Sequence, residues 1–161
     1  MSSEVTLKNA KVRTCLWFNG EGEAAAEFYV SLLPDSRIET ASRPNPSQPA
    51  LVVEFTLGGT PYMILNGGPH YTLSPAASIS VLTEDQAETD RLWKALTSDG
   101  GQESHCGWLT DRFGVSWQIV PEVLPKLLSS DDKAAAGRTQ EAMMKMNKLD
   151  IAALQRAFDN I

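Results

Sequence analysis

A chain of 161 residues is long enough to bury about two-thirds of its unfolded surface and short enough for one compact unit. With 42% hydrophobic and 21% charged residues, it has ordinary globular usage and no apolar run near the roughly 18 residues of a membrane helix, which excludes a fibre, a membrane span and a disordered tail. Fourteen Lys and Arg against twenty Asp and Glu give a net charge of -6, the wrong sign for a partner of nucleic acid.

Residues Met1 to Ala10 lack the basic segment and apolar stretch of an export signal, and the only cysteines, Cys15 and Cys106, suit two reduced thiols. A cytoplasmic protein is the expectation. From Val12 to Phe18 a β-rich run alternates and stops at Asn19-Gly20, so it reads as a strand closed by a turn. Ala24, Ala25, Phe28, Tyr29, Leu32 and Leu33 then recur at helical spacing until Pro34 and Asp35. Strand candidates follow at Arg37 to Ala41, Leu51 to Leu57 and Tyr62 to Asn66, divided by a loop with Pro44, Pro46 and Pro49 and by the Gly58-Gly59 turn. The first half is βαβββ.

The order then repeats. A strand from Ala77 to Leu82 runs into Thr83, whose spacing to Gln86 matches a capping box, and a helix places Leu92, Trp93 and Leu96 on one face before Gly100-Gly101. Strand-like runs follow at Gln102 to Cys106, Trp108 to Thr110 and Val115 to Val120. An offset of 64 sends Phe28 to Leu92, Tyr29 to Trp93, Leu32 to Leu96, Asp35 to Asp99, Val53 to Trp117 and Phe55 to Ile119, preserving periodicity though not identity. Asp131 or Asp132 can cap a helix reaching about Met146, and Asp150 a last one carrying Ile151, Leu154 and Phe158. Met143, Met144 and Met146 supply adaptable apolar surface for core or subunit contact. From Lys133 onward five basic and three acidic residues make the tail +2 against -8 for residues 1–132, so the tail should dock on an acidic body. The expectation is an α+β chain of two modules, 10–69 and 76–122, with a helical tail over 123–161.

Polar residues that share one phase on several curved strands are the places to look for a site. Glu54 lies between Val53 and Phe55 in phase with Val52 and Thr56, where a carboxylate calls for a wet or functional face. The offset of 64 pairs it with Gln118 and pairs Thr14 with Ser78. Glu54 would serve as a general base if burial raised its pKa, as a metal ligand, or as an anchor for a ligand, and the spacing does not choose among these. One carboxylate, one amide and two hydroxyls make a poor divalent site, so a divalent metal is disfavoured and no cofactor is expected. His70 and His105 flank loops. Cys106 would need a base to act as a nucleophile, and on a strand its neighbour His105 would point away. Gly67 and Gly68 lack the strand-then-helix setting of a phosphate loop and suit a pocket mouth.

Cys15-Leu16-Trp17-Phe18, Phe28-Tyr29, Asn66-Gly67-Gly68-Pro69, Asp90-Arg91-Leu92-Trp93, and Cys106-Gly107-Trp108-Leu109 through Asp111-Arg112-Phe113-Gly114 to Trp117-Gln118 together resemble the PhnB-like branch, labelled 3-demethylubiquinone-9 3-methyltransferase-like, of the glyoxalase, bleomycin-resistance and extradiol-dioxygenase superfamily. The tail, at 142–146 and 148–154, resembles the same branch. The resemblance implies the vicinal oxygen chelate fold of paired βαβββ modules, a homodimer and a cupped site. In metal-dependent relatives the ligands sit at positions matching Thr14, Glu54, Ser78 and Gln118, of which only Glu54 keeps a common ligand type. A methyltransferase would carry a glycine-rich cofactor loop that is absent here. The expected function is therefore binding of an unidentified small molecule in a metal-free cup lined by Trp17, Phe55, Asn66, Trp108 and Trp117 with the polar quartet. The alternative is a glyoxalase-like lyase or isomerase with Glu54 as base or residual metal ligand.

Overall fold

The computed structural model describes residues 10–161, and the expectations for Met1 to Asn9 lie outside them. The chain forms two compact units that meet in sequence at Leu73 and Ser74. Among the described residues no helix is long and apolar enough to cross a membrane.

The first unit runs β1 (Thr14–Phe18), α1 (Gly22–Leu32), β2 (Arg37–Ser42), β3 (Val52–Leu57) and β4 (Thr60–Asn66). Its sheet has the order β1-β4-β3-β2, with β1 parallel to β4 and the other pairs antiparallel. Val53, Phe55 and Leu57 are buried on the face that α1 covers, with the Tyr29 ring 6.5 Å from Phe55 and Tyr62 stacked on Phe55 at 5.6 Å. Side chains alternate along a strand, so Val52, Glu54 and Thr56 occupy the other face, which no helix among the described residues of the unit covers.

The second unit repeats this plan with β5 (Ser78–Thr83), α2 (Gln86–Thr97), β6 (Gln102–Glu103), β7 (Trp108–Thr110) and β8 (Ser116–Pro121) in the order β5-β8-β7-β6. Trp117 and Ile119 are buried on the α2 side, and Leu92, Trp93 and Leu96 supply the helix face that meets them. The cap of α2 differs from the expectation. Asp85 accepts from the Glu88 amide at 2.8 Å, whereas Thr83 stays in the strand and its hydroxyl meets that of Thr89 at 2.6 Å. An aspartate at the first turn supplies both the acceptor and a charge that the helix dipole favours.

The tail belongs to this second unit. After a short α3 (Val123–Leu128) come α4 (Lys133–Met143), capped by Asp132, and α5 (Ile151–Asp159), capped by Asp150. Leu124, Leu127, Leu149 and Leu154 form its core, with Met143 and Met146 packed against it and Met144 exposed. Polar contacts fasten it to α2. Gln86 donates to the Leu149 carbonyl at 3.1 Å and accepts from the Ile151 amide at 2.8 Å, and Lys148 lies 2.9 Å from Asp90. The hydrogen bond from Gln86, then Lys148, holds the Asp90 carboxyl below its ordinary pKa. A group whose folded pKa is depressed adds stability above its ordinary pKa and loses it as pH falls through the folded value. Amide exchange in α5 should therefore accelerate as pH drops below about 4, after correction for intrinsic rates, and Asp90→Asn should flatten that dependence.

Candidate functional site

Strand pairing determines which residues of the first sheet share its uncovered face. Glu54 pairs with Met63 and Met63 with Cys15, so Cys15, Met63 and Glu54 lie on one face together with Trp17 and Leu65. Thr14 pairs with Tyr62, which pairs with Phe55, and therefore sits on the opposite, helix-side face. Partial burial pushes the Cys15 thiol up, partly offset by a backbone hydrogen bond at Leu65. The Glu54 carboxylate accepts from the Thr40 hydroxyl at 3.2 Å and lies 4.0 Å from the Arg13 guanidinium. Arg13 in turn pairs with the buried Glu39 at 2.6 Å, and Arg37 lies 3.9 Å from Glu39, so Glu54 sits in a cluster of two carboxylates and two guanidinium groups.

Trp17 remains on this face. Its indole donates to the Gly68 carbonyl at 2.9 Å, its ring lies so close to Gly67 that a Cβ there would overlap it, and Tyr71 meets it edge-on at 4.8 Å. Asn66 lines a cavity of about 310 Å³ beside the proline-containing loop, with Gly20 and Gly68. Its oxygen and one of its amide hydrogens serve the fold. The side-chain oxygen accepts from the Gly20 and Gly22 amides at 3.1 and 3.0 Å, and the side-chain nitrogen donates to the Ala50 carbonyl at 2.7 Å. Asn66 thus caps α1, whose own preceding residue Glu21 offers no side-chain cap.

On the second sheet, Ser78 pairs with Ser116, Ser80 with Gln118, Trp108 with Gln118 and Thr110 with Ser116, which puts these six on the face away from α2. Gln118 donates to the Ser78 hydroxyl at 2.9 Å. The β7–β8 register rests on Asp111, whose carboxylate accepts from the Phe113 and Val115 amides and from the Trp117 indole. Against this face lies a cavity of about 400 Å³ lined by Pro75, His105, Cys106, Trp108, Thr110 and Ser116, among others.

Three expectations are corrected by this geometry. Phe55 and Trp117 are fully buried toward the helices and cannot line a cup on the other face, because their phase is opposite to that of Glu54 and Gln118. Thr14 is likewise out of phase, on the face of the first sheet opposite to Glu54, so these two do not share a site on that sheet. His105 and Cys106 do not alternate on a strand: β6 ends at Glu103, Cys106 has a left-handed backbone at φ 59°, and both residues line the same cavity. Ser80, Thr110 and Ser116 escaped the sequence reading, although the spacing of Ser116 to Gln118 carries the strand period. Among the described residues no three His, Cys, Asp or Glu side chains gather.

The family model described as 3-demethylubiquinone-9 3-methyltransferase matches residues 10–120. The chain belongs to this family. The PhnB protein of Bacillus cereus, which carries the same description, is 30% identical over 69% of this chain and 98% of its own, with a TM-score of 0.64. A Pseudomonas aeruginosa protein is 24% identical over 69% of this chain and 96% of its own, with a TM-score of 0.57. A fosfomycin resistance protein of Listeria monocytogenes, solved with Mn(II) and 1S,2S-dihydroxypropylphosphonic acid, shares the fold at 12% identity over 73% of this chain and 95% of its own, with a TM-score of 0.54. No curated protein matches. The matched residues span the two βαβββ units as far as Val120 in β8, and the tail lies beyond them.

Replacing Asn66 with Ala removes three hydrogen bonds and leaves backbone donors near α1 unmet. Urea unfolding should show a loss of about 2–4 kcal/mol. Asn66→Asp, which keeps the acceptor, should lose less.

Proposed function

We propose that this PhnB-like protein binds a small molecule on the helix-free faces of its sheets, without a resident metal. The observation that carries the reading is the composition of the second sheet's open face. Ser78, Ser80, Trp108, Thr110, Ser116 and Gln118 form a polar and aromatic surface, and the adjoining cavity of about 400 Å³ falls within the usual range for small ligands. Methyl transfer is disfavoured. The turn after β1 holds no glycine-rich phosphate loop, and the amides of Gly20 and Gly22 are already taken by Asn66. A homodimer is part of the proposal, supported by β5, an edge strand that exposes Leu82, and cytoplasmic residence is supported by the two free thiols.

A second reading, a lyase or isomerase with Glu54 as base, draws on the placement of that carboxylate, which Thr40 orients on an open strand face. Native mass spectrometry and elemental analysis of untagged protein separate the two. The binding reading expects a carried small molecule, metal well below one ion per chain, and no change in melting temperature on adding Ni, Zn, Mn or Fe. One tightly held metal per chain overturns the metal-free reading. Lyase or isomerase turnover abolished in folded Glu54→Gln supports the second reading, and turnover that survives there removes Glu54 as base.

A further inference from the structure

We infer that the cavity of the second unit is the ligand's seat and that it takes an uncharged, flat molecule presenting a hydrogen-bond acceptor, with Trp108 and Ser116 as its polar anchors. The inference rests on the small-molecule reading above and narrows it to one site and one ligand chemistry.

Three of the chain's four indole N–H groups are spoken for within their own units: Trp17 donates to the Gly68 carbonyl, Trp93 to Glu103 at 2.6 Å and Trp117 to Asp111 at 2.9 Å. Among the described residues the Trp108 indole has no such partner, and an indole N–H can only donate. Ser116 is the second mark. It is 3% exposed, its hydroxyl finds no partner among the described residues, and it lines the cavity two residues before Gln118 on the same face as Trp108. A buried hydroxyl without a partner is rare, because burial removes water without replacing its hydrogen bond. The cavity of the first unit behaves oppositely: the Asn66 side chain accepts from two amides and donates to the Ala50 carbonyl, and the Asn45 side-chain oxygen accepts from Ser47.

The rest of the lining decides what kind of molecule fits. Among the described residues no Lys, Arg, Asp or Glu contributes to it, and His105 is the one lining side chain able to carry a positive charge, so no fixed charge compensates a charged ligand. Pro75 and Trp108 offer flat apolar contact, and the volume of about 400 Å³ suits a ring with a few substituents. The turn that forms one wall is held from outside the family match: Cys106 and Gly107 donate through their amides to the Met146 and Asn147 carbonyls, both at 2.8 Å.

Titrating the ¹⁵N-labelled full chain with acetophenone, ethylbenzene and benzoate tests this, reading the tryptophan indole resonances. The Trp108 signal, assigned by its loss in Trp108→Phe, should move with acetophenone, and ethylbenzene, which lacks the acceptor, should bind about ten-fold more weakly. Ser116→Ala should weaken acetophenone about three- to ten-fold while leaving all four indole signals dispersed, so it serves even if Trp108→Phe fails to fold. Equal binding of ethylbenzene, tighter binding of benzoate, or a Trp108 signal indifferent to saturating acetophenone overturns the inference. A carried molecule retained undiminished by folded Trp108→Phe and Ser116→Ala would overturn this seat while leaving the broader small-molecule reading intact.

Discussion

One helix covers one face of each four-stranded sheet, and this single constraint assigns nearly every strand residue its role. A sheet buried on one face must put its apolar phase there, and the period of two leaves no freedom for the residues between. Tyr29 against Phe55 in the first unit and α2 against Trp117 in the second consume the largest aromatic side chains on the covered sides. Whatever chemistry the sheets perform is confined to the remaining phase, which holds Cys15, Trp17 and Glu54 in one unit and Ser78, Trp108, Ser116 and Gln118 in the other.

That confinement explains which parts of the site were legible in the sequence. The helices and strands announce themselves through periodicity and punctuation, and Asp35 and Asp99, 64 residues apart, share a left-handed backbone at φ 52° and 53° just past their helices. The offset then fails for a physical reason. Nineteen residues separate Asp35 from Glu54, but nine separate Asp99 from Trp108, because β6 and its connection to β7 are shorter than β2 and the proline-containing loop. By strand order and pairing Glu54 therefore corresponds to Trp108, and Gln118 to Met63. A fixed offset sees residue count, whereas a sheet compares residues by hydrogen-bond register.

Other features rest on contacts between segments far apart in sequence, which no local pattern carries. The turn at Cys106 is such a case, since its amide finds its acceptor forty residues later at Met146. Gly107 is held to glycine by space as well as by φ 83°: a Cβ there would come 2.8 Å from the Ile119 carbonyl and 3.0 Å from Leu149. The tail thus shapes a wall of the second cavity as well as closing a core of its own, which gives its docking onto α2 a bearing on the site.

Asn66 ties the start of α1 to the end of β4 across 44 residues of chain. A helix whose first turn is capped by its own neighbours can flicker into existence early, but this one obtains its cap only after the last strand of the unit has been laid in place. Closing so long a loop costs entropy before any return, and short α1, with no local substitute for that acceptor, gains its full stability only at the end. In the folded first unit, helix and sheet are therefore mutually dependent, and a single amide side chain joins them.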